Sequence, residues 1–276
     1  MIHDEKRAII VAPNGARKTK ADHPAVPVSA DEIAEDVLAC YQAGAAMVHL
    51  HARKPDGSHS LDISDNLAVL EAVHSAVGDK IMVQLTTEAV GIYKPEQQME
   101  LIRETKPEAA SFALKELIPD DSYLDTAAEF FHWVASEQII AQYILYSEQD
   151  LLRYFSLLKS GLLPEKHHHT LIVLGRYQAQ MQASPKDLLP FLREMPNTLK
   201  SRWAVCAFGR MEQTCLISAM LMGADVRIGF ENNHMNNHGL PAKNNAHQIS
   251  QLAELMRLMN IEKHNAESFR AKLVNS

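Results

Sequence analysis

The sequence predicts a single (β/α)8 barrel, and three observations carry that reading. Short β-rich apolar runs alternate eight times with longer amphipathic runs along a chain of 276 residues. That is the size and rhythm of this fold. No Pro/Gly/Ser-rich linker or low-complexity segment divides the chain. No glycine-rich GxGxxG loop follows an early strand, which disfavours the rival, an open doubly wound sheet. The predicted unit is one barrel domain over 1–276, with a C-terminal helical extension over about 245–276.

The strand candidates, in order, are "AIIVAP" (8–13), "MVHLHA" (47–52), "IMVQLT" (81–86), "EAASFAL" (108–114), "QIIAQYILY" (138–146), "TLIVLG" (170–175), "RWAVCAF" (202–208) and "DVRIGF" (225–230). Helical periodicity follows each. After the first run, Ser29 is a natural N-cap. Glu32, three residues on, completes a capping box, and Gly44 marks the stop. The remaining predicted helices are Asp65–Val77, Pro95–Glu104, Tyr123–Ala135, Glu148–Lys159, Pro185–Arg193, Gln213–Met222 and Asn245–Met259.

Composition narrows the function classes. Hydrophobic residues make up 46% of the chain, enough for a full core, and the formal net charge is −7 with no long basic run. This argues against a nucleic-acid partner. No apolar run reaches the roughly 20 residues needed to span a bilayer, so no membrane partner is expected. The start, "MIHDEKRAIIVAPNG", carries charges where a signal peptide needs apolar residues. Cys40, Cys206 and Cys215 are odd in number and lack CxxC spacing. They read as reduced, buried thiols in a cytoplasmic protein.

A barrel keeps its chemistry at the C-terminal ends of its strands. Polar residues gather there: Asn14 and Arg17 after the first strand, His49, His51 and Arg53 at the second, and Thr86, Thr87 and Glu88 at the third. Ser111, Lys115 and Glu116 follow on the fourth, Tyr146 on the fifth, and Arg176 and Tyr177 after the sixth. Gly209, Arg210 and Glu212 follow the seventh, and Arg227, Glu231, Asn232 and Asn233 lie on and after the eighth. In "AAMVHLHARKPDG" (45–57) His49 and His51 are two apart on a strand, so both imidazoles share one face. Strand eight, which Glu231 closes, comes near strand two once the barrel shuts. Two imidazoles and one carboxylate suit a catalytic zinc site with an open position. Two histidines hydrogen-bonded inside the barrel mouth are the other reading of the same spacing. "HHH" (167–169) precedes the sixth strand and reads as a solvated loop on the opposite end.

The stretch "VAPNGARKTKADHPAVPVSADEIAEDVLACYQAGAAMVHLHARKPDG" (11–57) resembles the opening of the β-keto acid cleavage enzymes. "KPEAASFAL", "WAVCAFGR" and "GADVRIGFENN" resemble later parts of that family in the same order. The His-x-His-x-Arg turn and the Arg-x-Gly-x-Glu turn are specific in combination. The resemblance implies a zinc-dependent barrel, tetrameric in its assembly, that reacts a β-keto acid with acetyl-CoA to give acetoacetate and a new acyl-CoA. It implies His49, His51 and Glu231 as Zn²⁺ ligands. Thr86 matches a family serine beside the keto acid, and Ser111 a family threonine. Arg227 matches an arginine that works with an acid to deprotonate the acetyl-CoA methyl.

Three positions depart from the family. Asn232 stands where that acid is expected, so the general base is missing. An amide there is expected to hydrogen-bond Arg227 and hold it. Arg17 replaces a glutamate after strand one, and Ile144 aligns with a glutamate on strand five. Those carboxylates suit an ammonium-bearing substrate, so 3-keto-5-aminohexanoate is not expected to be the substrate here. Glu88, Lys115, Glu116 and Glu212 read as a solvated rim that could also hold a replacement base. The alternatives are a metal-assisted lyase or hydrolase without CoA, and a non-catalytic metal- or metabolite-binding paralogue.

Overall fold

The computed structural model describes residues 6–177, 179–196, 202–236 and 238–274. Eight parallel strands close into a barrel in sequence order, each bonded to the next and β8 back to β1. They are β1 Ile9–Val11, β2 Met47–Leu50, β3 Met82–Thr86, β4 Ala109–Ala113, β5 Ile140–Leu145, β6 His168–Leu174, β7 Arg202–Ala207 and β8 Asp225–Ile228. The helices are α1 Ala30–Ala43, α2 Ile63–Val77, α3 Pro95–Thr105, α4 Leu114–Leu117, α5 Leu124–Ser136, α6 Glu148–Lys159, α7 Leu189–Glu194, α8 Glu212–Leu221, α9 Asn245–Leu258 and α10 Ala266–Val274. The predicted fold class is the observed one.

Local chemistry sets these boundaries. The Ser29 hydroxyl accepts from Glu32 N, and the Glu32 carboxylate accepts from Ser29 N, so the predicted capping box starts α1. Gly44, at φ 112°, ends it in a left-handed turn that favours glycine. The predicted helix Pro185–Arg193 is instead a 3-10 turn over Pro185–Leu188 followed by α7. Pro190 has no N–H to donate to the i−4 carbonyl, so the two pieces do not fuse.

One core fills the space between strands and helices, and includes Val48, Phe112, Tyr143 and Leu216. A second lies inside the barrel, where Met47, Met82, Ile140 and Leu171 meet Phe269 and Leu273 of α10. Helix α10 therefore plugs the N-terminal end and leaves the C-terminal mouth open. Residues 275–276 of the predicted extension lie outside the described residues.

The "HHH" reading is corrected. His168 and His169 open β6 and are buried, at 4% and 0% exposure. Gln142 Nε2 lies 2.8 Å from His169 Nδ1, and His169 Nε2 lies 3.4 Å from Asp225 Oδ2. Arg202 clamps the same carboxylate through Nε and Nη2 at 2.9 and 2.6 Å. The polar layer at the barrel floor thus takes in the histidine. Among the described residues no helix is long and apolar enough to cross a membrane.

Candidate metal centre and active-site cavity

His49 sits on β2, His51 just past it, and Glu231 in the turn after β8. Nε2 of His49 and Nε2 of His51 are 3.0 Å apart, and Glu231 Oε2 lies 3.6 and 3.5 Å from them. Tetrahedral bonds of about 2.0–2.1 Å hold ligand atoms roughly 3.3–3.4 Å apart, so this triangle fits a divalent ion. These three residues form the group, among the described residues, whose donor atoms converge in this way.

The protonation states suit ligation. Burial pushes His49 down to about 4, helped by Arg227, and pushes His51 down to about 3. Both imidazoles are therefore neutral near pH 7. Gln84 Oε1 accepts from His49 Nδ1 at 2.7 Å, which leaves the Nε2 lone pair facing its partners. Burial would raise the Glu231 carboxyl, but the Arg227 guanidinium beside it holds it well below the usual range. Among the described residues, Glu231 Oε2 and His51 Nδ1 have no hydrogen-bond partner. A buried carboxylate oxygen of this kind suits a cation ligand.

The backbone around Glu231 is built to close limits. Gly15, at φ +65°, lies so near that a Cβ there would sit 2.5 Å from Glu231 Cγ. Arg53 clamps this loop: its Nε and Nη2 donate to Gly15 O, its Nη2 also to Lys18 O at 2.7 Å, and its Nη1 to Gly57 O at 2.7 Å. On the other side, the buried Asn245 accepts from Phe230 N and donates to Pro13 O and Asp36. Glu212, fully buried, accepts from Gly229 N and Asn233 Nδ2. It is not a rim residue, which corrects the sequence-based expectation. Glu116 likewise turns inward, accepting from Ala89 N and Gln98 Nε2.

A cavity of about 560 Å³ opens above the triad. Its walls include Arg17, His49, Thr86, Glu88, Ile144, Arg176, Arg227, Glu231 and Asn232. Arg227 donates to Glu231 Oε1 at 2.9 Å and to Cys206 Sγ at 3.3 Å. Asn232 does not hold Arg227 as expected. Both its amide atoms are buried with no partner among the described residues. The β8 turn instead leaves Arg227 paired with the metal-ligand candidate. Thr86 Oγ1 accepts from Glu88 N at 3.0 Å, which leaves its hydroxyl proton available. Ser111 is level with Thr86 in the sheet, and its Oγ is buried with no partner among the described residues. It is not among the residues lining the cavity. Lys115 lies over the rings of Tyr146 and Tyr177, 4.0 and 4.1 Å from their centroids. Burial raises Glu88 to about 7, with the Glu231 charge adding to it and Arg176 opposing.

Sequence reasoning missed Gln84, the loop clamp of Arg53, and His59. The buried His59 sits 5.2 Å from the His51 ring, with Nε2 on Glu88 O. The signal for Gln84 was present: it lies two residues before Thr86 on the same strand face, level with His49.

A closed parallel barrel with convergent nitrogen and carboxylate donors at its C-terminal mouth defines a barrel of enzyme type with a candidate metal centre. The chain belongs to the beta-keto acid cleavage enzyme family, whose model matches residues 6–274. It is 30% identical over 258 residues to the 3-keto-5-aminohexanoate cleavage enzyme of Fusobacterium nucleatum subsp. nucleatum, covering 92% of each chain. It is 25% identical over 256 residues to the 3-oxoadipate:acetyl-CoA acetyltransferase of Cupriavidus necator, covering 90% of this chain and 87% of that one. Among solved structures, apo ObcA superposes with a TM-score of 0.73 at 17% identity. The match covers 92% of this chain and 66% of ObcA, and supports the fold alone.

Proposed function

We propose that the chain is a zinc-dependent acyltransferase that converts a β-keto acid and acetyl-CoA into acetoacetate and a new acyl-CoA. The observation that carries this reading is the convergence of His49, His51 and Glu231 beneath an open cavity. Zinc suits two neutral imidazoles and one carboxylate with a position left open. When bound, zinc would supply Lewis-acid polarisation of the substrate's keto group and hold its carboxylate.

The chain's own groups do the rest. Thr86 donates a hydrogen bond from its hydroxyl to the keto acid. Arg227, fixed by Glu231 and Cys206, places a permanent positive charge at the reacting centre. Asn232 offers a donor and an acceptor to substrate but takes no proton near neutral pH. Ser111 supplies a buried hydroxyl behind Thr86. Ile144 and Arg17 line the cavity where a relative that binds an ammonium would present carboxylates, so the substrate is not 3-keto-5-aminohexanoate. A cytoplasmic homotetramer belongs to the same reading, supported by family resemblance and three free thiols.

The test is turnover of a panel of β-keto acids by the zinc-loaded protein, with and without acetyl-CoA. Acyl-CoA formation supports the transferase. Cleavage that ignores acetyl-CoA would favour a lyase or hydrolase, and binding without cleavage a non-catalytic paralogue.

A further inference from the structure

Arg176 follows β6 and reaches across the mouth to Glu88, which follows β3; the nearest atoms, Nη2 and Oε1, are 3.6 Å apart. That distance allows ion pairing but is too long for a hydrogen bond. A guanidinium has five N–H donors. Among the described residues, the hydrogen bond recorded for this one runs from Nη1 to the Met181 thioether at 3.7 Å, and the group packs over Phe208 with its Cζ 5.2 Å from the ring centroid. Among the described residues its donors are largely unspent, although it lines the cavity and is only 22% exposed.

Its position is built in. Gly175, at φ +82°, sits where a Cβ would lie 2.7 Å from Ala183 N, so the turn that carries Arg176 is packed against its neighbour. Glu88 is a loosely held resting partner. Its second oxygen lies 3.9 Å from His51 Nδ1, also beyond hydrogen-bond distance. Arg17 and Lys18 add positive charge to the same cavity. A ligand carboxylate that reached Arg176 would gain a two-pronged charge-assisted pair, which Glu88 at 3.6 Å does not make.

We propose that Arg176 is the anion receptor of this cavity, and that the substrate is a β-keto acid bearing a second, distal carboxylate that replaces Glu88 on it. This rests on the transferase reading above. The keto end occupies the triad, and the distal carboxylate spans to the β6 side.

The test compares two β-keto acids of equal chain length, one ending in a methyl and one in a carboxylate, with zinc-loaded protein and acetyl-CoA. The dicarboxylate should be favoured about tenfold or more in kcat/KM. Arg176→Gln should raise KM for the dicarboxylate about tenfold, with kcat less affected, and leave the methyl substrate within about twofold. Arg176→Lys should recover part of the loss. Equal losses on both substrates would put Arg176 on the shared carboxylate and overturn the proposal. A raised KM for acetyl-CoA alone would assign Arg176 to the phosphates of CoA and overturn it too. Preference for the methyl substrate would refute the dicarboxylate while leaving the transferase standing. If no keto acid turns over, the transferase reading fails, and calorimetry of glutarate against butyrate decides the inference. Tighter glutarate binding, lost in Arg176→Gln, supports it; equal binding refutes it.

Discussion

Gln84 Oε1 accepts a 2.7 Å hydrogen bond from Nδ1 of His49, and the two residues are paired neighbours in the sheet. The bond fixes the tautomer that turns His49 Nε2 toward His51 and Glu231. Loss of such a partner typically weakens metal binding 10–100-fold. Gln84→Leu is therefore expected to lower zinc affinity by about that factor, measured by competition with a chromophoric chelator. Unchanged affinity would mean that packing alone orients the ring.

Arg53 holds the loop from Asn14 to Lys18 through backbone carbonyls, and that loop packs against Glu231. Arg53→Leu leaves those carbonyls without their donor. The amides of residues 15–18 are expected to exchange with deuterium roughly tenfold faster, while those of β4 and β5 do not change. Equal protection in both proteins would show that Gly15 packing suffices.

Asn232 bears on the rate. General acid–base help is worth about a hundredfold to ten-thousandfold. Deuterium exchange into the acetyl-CoA methyl is expected to be slow in the natural protein and faster in Asn232→Asp. If the natural protein exchanges as fast, and Glu88→Gln abolishes that exchange, then Glu88 is the base.

Asp225 sets the acid limit of the floor network. Burial alone would raise its carboxyl, but His169 and Arg202 hold it well below the usual range. A carboxylate with a depressed folded pKa contributes stability above its unfolded value, near 3.9, and loses it as pH falls toward the folded one. Breaking a buried pair from one side costs about 3–5 kcal/mol. Asp225→Asn should therefore be less stable by about that amount at pH 7, and its stability should fall less steeply below pH 4. Parallel urea midpoints across that range would contradict this.

The barrel was legible because the period of the apolar residues switches from two to 3.6 eight times. His49 and His51 were legible because strand geometry alone puts them on one face. What was hidden depends on partners far away in the chain. His169 looked solvated because its partners, Gln142 and Asp225, are 27 and 56 positions distant. Glu212 looked like a rim residue because the groups it bonds, Gly229 N and Asn233, come close only when β8 turns over it. Asn232 was expected to hold Arg227, yet Glu231, four residues from Arg227, takes that place.

Metal analysis of protein purified without chelators tests the central claim most directly. Two neutral imidazoles and one bare carboxylate oxygen converge at the mouth. We expect about one zinc per chain. His51→Ala should be folded and carry almost none, because the ligand sits at the mouth and not between the helices. A natural protein that is folded and holds no divalent metal, even after incubation with zinc, would contradict the assignment.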